Sequence, residues 1–151
     1  MRTYMVVIDD SEEAVLAQRF AARRAARTGG TVHLVTVIEP QQFVAWGGVQ
    51  ATIEEEARQQ GEALAQAAAN RLAEEHGITP MISVRQGDAV EIVRAILAED
   101  GTIAALVLAT APSGPPGPLV SHFAGQDAGT LPVPVMIIPG SLTLDEIDRL
   151  S

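Results

Sequence analysis

Short apolar runs and longer stretches of helical spacing alternate along the chain. Tyr4 to Asp9 (YMVVID) is β-branched and ends in acid, the pattern of a buried strand. Ser11 stands where a helix cap belongs, with Glu12 and Glu13 in the first turn. Leu16, Phe20 and nearby alanines follow at helical spacing to about Thr28, and Gly29-Gly30 stops the helix. Thr31 to Ile38 (TVHLVTVI) is the clearest strand. Glu39 to Gln50 reads as a loop with two aromatics, Phe43 and Trp46, which pin it against a helix or lie over a cleft. Thr52-Ile53-Glu54-Glu55 fits a capping box, so the spacing predicts a long Ala/Glu helix from Thr52 to about His76, stopped at Gly77.

The second half repeats the alternation. Met81 to Arg85 is a strand, Asp88 caps a helix carrying Val90, Ile92, Val93, Ile96 and Leu97, and Ala104 to Ala109 is a fourth strand. Thr110 to Pro118 (TAPSGPPGP) is a Pro/Gly loop. A weak helix is expected over Leu119 to Ala128, with Gly125 inside it. Val135 to Ile138 is the fifth strand, between Pro134 and Pro139. Thr143 to Glu146 forms a second capping box, opening a tail helix with Leu144, Ile147 and Leu150 on one face. Strands apolar on both faces, alternating with helices, predict a doubly wound five-stranded parallel sheet, Rossmann-like, in the α/β class. Residues 1–140 make the domain and residues 141–151 an amphipathic tail helix.

Composition narrows the chemistry. The 151 residues suffice for one domain with a real core. Aromatics are only 3%, so that core must be built from Ala, Val, Leu and Ile. A net charge of −9 opposes phosphate backbones and anionic lipids, so neither nucleic acid nor membrane is expected as a partner. The absence of cysteine removes disulfides, thiol catalysis and cysteine zinc sites. All ten basic residues are Arg, which excludes the Walker A lysine and Schiff-base chemistry. Met1 to Asp10 lacks the long apolar core of a signal peptide, so the expected location is cytoplasmic.

In a doubly wound sheet, ligands sit beyond the carboxyl ends of the strands where strand order reverses. Asp9-Asp10-Ser11, Val37-Ile38-Glu39 and the 110–122 loop converge there. An acidic pair such as Asp9-Asp10 suits a divalent cation, or a base or ribose; structurally, it is one hydrogen-bonding acid and one solvated turn residue. A phosphate-receiver reading fails, because it needs a lysine after the last strand and an acceptor Asp after the third.

Together, VVIDDSEEA, GGTVHLVTVIEP, the Ala/Glu helix, VRQGDAVEIV, LVLAT and LPVPVMIIP, in that order, make the chain resemble the universal stress protein family over essentially its whole length. The resemblance implies an adenine nucleotide alpha hydrolase-like fold and a cytoplasmic homodimer tied to stress survival, without established catalysis. Some branches bind ATP or AMP, and these are the cofactors implied. Asp9 would then contact adenine or ribose and the backbone at Val37 would meet the adenine. A loop of the form Gly-x2-Gly-x9-Gly-Ser/Thr would wrap the phosphates.

The chain departs from that loop. Counted from the fourth strand, Ala109 and Pro112 replace its first two glycines, and His122-Phe123 or Ser121-His122 its last pair. Pro112, Pro115, Pro116 and Pro118 donate no N–H to a phosphate, and no Arg stands in the segment. The expectation is therefore a non-catalytic regulatory homodimer whose cleft holds a nucleotide or small anion weakly. Its candidate residues are Asp9, Asp10, Val37, Ser113, Gly114, Gly117, Ser121 and His122. An intact ATP/AMP-binding protein and a magnesium-dependent nucleotide hydrolase using Asp9, Asp10 and His122 are the alternatives. Antiparallel pairing of Val135–Ile138 with a second copy would form the dimer, the tail lying over the partner or over its own subunit. Protein partners are expected but not identified.

Overall fold

The computed structural model describes residues 1–40 and 47–151, with side chains described for all of these except 47–50. Among these residues five strands form one parallel sheet: β1 (Thr3–Ile8), β2 (Thr31–Ile38), β3 (Met81–Gln86), β4 (Ile103–Thr110) and β5 (Val135–Pro139). Their order is β3-β2-β1-β4-β5. The helices are α1 (Glu12–Thr28), α2 (Gly47–His76), α3 (Ala89–Glu99), α4 (Pro118–Ser121) and α5 (Leu144–Leu150). The expected doubly wound α/β architecture is the one found.

β1 lies at the centre because both of its faces are apolar. Tyr4, Val6 and Ile8 join the core beneath α1, α2 and α5, while Met5 and Val7 join the core beneath α3 and α4. A strand with a period of two and no polar face is stable only when covered on both sides. Burying each such side chain contributes about 1.5–3 kcal/mol. With so few aromatics, the helices close on the sheet through alanine. Ala17, Ala21, Ala22 and Ala25 of α1 share one core with Ala65, Ala68 and Ala69 of α2. Gly61 serves the same close approach, since a Cβ there would stand 3.2 Å from Cγ1 of Ile38.

Three local expectations change. α2 begins at Gly47, so Thr52 lies inside the helix and its box is not the start; upstream residues continue the helix past a merely local capping pattern. Ser11 precedes α1 but makes no side-chain cap. Its N–H (2.9 Å) and its hydroxyl both donate to Asp9 Oδ1, a turn that competes with capping. The weak helix breaks into the single turn of α4, a wide π-helical turn over His122–Gln126 and a 3-10 turn over Ala128–Thr130; Gly125 gives the middle little helical support. The Phe43 and Trp46 loop lies outside the described residues.

The tail behaves as its capping box requires. Glu146 N–H donates to Thr143 Oγ1 and Thr143 N–H donates to Glu146 Oε1, each at 3.1 Å. Ile147 is fully buried in the core of its own subunit, whereas Leu144 and Leu150 remain about half exposed. Arg19 holds Asp148 with two bonds of 2.6 and 2.8 Å, and Arg23 donates to the Asp148 carbonyl and the Ser151 hydroxyl. The tail is thus fastened to α1 of its own subunit.

His33 sits inside the sheet at 4% exposure. Its Nε2 is 2.7 Å from Ser83 Oγ, and its buried Nδ1 has no hydrogen-bond partner among the described residues. Burial pushes its pKa below the ordinary 6.5; Asp100 opposes that shift and Arg85 adds to it. The unfolded chain therefore takes the proton more readily than the folded one. The stability conferred by a neutral His33 is present above about pH 6.5 and is lost as the pH falls through the folded value. Urea midpoints measured from pH 7.5 to 5 should fall with acid, with a shallower fall in His33→Gln; equal slopes would show that His33 does not couple folding to pH.

Candidate functional site

β1 and β4 are neighbours, yet their following helices, α1 and α4, lie on opposite faces of the sheet. The chain parts at that point and leaves a cleft of about 460 Å³ beyond the strand ends. Its floor is aliphatic, formed by Val7, Val37 and Leu108. One wall is the rigid Pro115–Pro118 turn, and Asp9, Glu13 and Glu39 supply carboxylates. That volume is within the range of small-molecule sites, toward its lower end.

Of the residues singled out in sequence, Asp9, Val37 and Gly117 line this cleft. Asp10, Ser113, Gly114, Ser121 and His122 do not. Asp9 and Asp10 are both exposed, and Asp9 is braced by Ser11 as described above. Gly117 has φ +93° and Gly114 φ +84°, values that an L side chain rarely adopts, so the loop turns sharply at both. Pro118 follows as the first residue of α4, where its missing N–H costs nothing.

His122 is turned away from the cleft. Its Nε2 bonds Asp127 Oδ2, and Arg94 of α3 pairs with the same carboxylate. Its ring packs edge-on against buried Phe123 with centroids 5.1 Å apart, and the Arg94 guanidinium lies 6.0 Å from the Phe123 centroid. This cluster fastens the π-helical turn to α3. Neither Ser113 nor His122 lines the cleft, and α4, at four residues, offers no extended helix end for an anion.

Sequence reading passed over Glu13 as a mere first-turn acid. It stands in the first turn of α1, and only the packing of α1 over the sheet brings it to the cleft. Among the described residues no three acids or histidines stand close enough to hold a metal ion. No helix among them is long and apolar enough to cross a membrane.

A parallel doubly wound domain with an open cleft at its switch point defines a class of small-molecule-binding α/β proteins. Residues 1–139 match the model of the universal stress protein family, and the chain belongs to that family. Its fold is similar to a universal stress protein from Burkholderia pseudomallei, at 19% identity and TM-score 0.70, covering 91% of this chain and 95% of that one. It is also similar to UspA from Lactobacillus plantarum, at 15% identity and TM-score 0.73, covering 91% and 97%. A third similar structure is the universal stress protein of Archaeoglobus fulgidus in complex with dAMP, at 17% identity and TM-score 0.61, covering 91% and 98%. A comparison with curated proteins found no match.

Gly140 packs closely against the start of the loop after β4. A Cβ on it would run into the Thr110 carbonyl oxygen and stand 3.0 Å from Pro112 N. Both neighbours are backbone or ring atoms that cannot swing aside. Gly140→Ala is expected to cost about 1–3 kcal/mol and to displace the loop after β4. Chemical denaturation and amide chemical shifts of residues 109–117 report the two effects; unchanged values for both would show the contact to be slack.

Proposed function

We propose that this protein is a non-catalytic stress-response regulator that acts as a cytoplasmic homodimer and binds an adenine nucleotide, ATP or AMP, weakly. The observation that carries this reading is the open cleft at the β1/β4 switch point, with Asp9 and Val37 in its walls. A related fold holds dAMP in the solved Archaeoglobus fulgidus complex, which supports an adenylate as ligand. The cleft offers a carboxylate to hydrogen-bond ribose or base and an apolar floor for the ring. Its proline wall supplies few N–H groups for phosphate, which favours weak rather than tight binding. A free small anion is less favoured, since among the described residues no cationic side chain lines the cleft.

Dimerisation is supported by the edge position of β5 and by its exposed Ile137. An open apolar edge is protected by pairing with the same strand of a second copy.

Calorimetric titration should give AMP and ATP dissociation constants of about 100 μM or weaker, about tenfold weaker still in Asp9→Ala, with no release of phosphate. Tight ATP binding would return the chain to the full nucleotide-binding branch, and magnesium-dependent turnover lost in Asp10→Asn would make it a hydrolase. Absence of any adenylate binding would remove the ligand reading. In the same preparation, sedimentation should show a dimer that Ile137→Arg dissociates; a wild-type monomer at micromolar concentration rejects the pairing.

A further inference from the structure

We infer that the cleft selects an uncharged adenine nucleoside over its phosphorylated forms. The inference rests on reading the cleft as an adenylate pocket, and it concerns the sign of the charge that the pocket admits. The acidic residues Asp9, Glu13 and Glu39 line it, and among the described residues no Arg or His does. On the opposite wall, Pro115, Pro116 and Pro118 present ring carbons and carbonyls where a phosphate needs N–H donors.

The arginines nearest in sequence to the site's elements are committed elsewhere. Arg94 of α3 holds Asp127, Arg19 of α1 holds Asp148 on the tail, and Arg85 of the outer strand β3 holds Glu99 at the end of α3. The whole chain adds a net charge of −9, so the long-range field has the same sign as the local one. A ligand filling about 460 Å³ keeps any phosphate it carries close to these walls. Unit charges of like sign at such range, only partly screened, disfavour binding by about tenfold. A nucleoside meets the same apolar floor and the same Asp9 acceptor without that repulsion. AMP keeps the ribose hydroxyls that can donate to Asp9, but it adds the negative charge of its phosphate.

The test is a titration of the full chain with adenosine, AMP and ATP in the absence of divalent cations, at about 0.01 M and about 0.1 M salt, where the Debye length falls from about 30 Å to about 10 Å. Adenosine should bind about tenfold tighter than AMP at low salt, with ATP weaker again. Added salt should tighten AMP and narrow the gap. Glu13→Gln should narrow it severalfold at low salt, while Glu62→Gln, which removes the same charge from the exposed side of α2, should not. AMP binding tighter than adenosine and weakening with salt would overturn the selectivity and leave the adenylate reading intact. If neither adenosine nor AMP binds, the adenylate reading itself fails and the selectivity falls with it.

Discussion

Everything in this molecule depends on β1 being buried on both faces between β2 and β4. A strand with no polar face must be covered above and below, which sends the helices that flank it to opposite sides of the sheet. That divergence opens the cleft. The aliphatic positions that stabilise the fold, Val7 and Leu108 among them, are also the floor of the site. Core and pocket are one surface, so the cleft cannot be made polar at its base without weakening the sheet.

The alanine seam is the second constraint. A core with few aromatics gains little from any one side chain, so it gains by close approach along α1 and α2. The tail closes the same core from the end, placing Ile147 beneath a pair of arginines that grip Asp148. These ion pairs are partly exposed, and their worth lies in orienting the tail more than in stabilising it. Ile147 is committed to the core of its own chain, so the tail's buried stripe is not an open surface.

The family fold is kept at low sequence identity. Family membership rests on residues 1–139, but the similar structures share under a fifth of their residues with this chain. At that distance the sheet and its switch point persist because packing constrains them.

The sequence by itself determined the strands almost to the residue, the parallel class, the stops at Gly29 and Gly77, the Asp88 cap and the tail's capping box. Each of these is written in local periodicity or in the geometry of a single turn. It also determined that Pro112, Pro115, Pro116 and Pro118 remove four amides from the loop after β4, whatever surrounds them. Tertiary structure decided the rest. Where α2 begins, and whether Ser11 caps α1 or braces Asp9, turned on competition between local hydrogen bonds that the pattern leaves equal. His122 was legible as a polar residue near the loop, yet Asp127 and Arg94 turn it outward, a contact with a helix contributed from another part of the chain. Glu13 entered the cleft only when α1 folded back over the sheet. A side chain's direction depends on its neighbours in space, and a linear pattern does not carry that information.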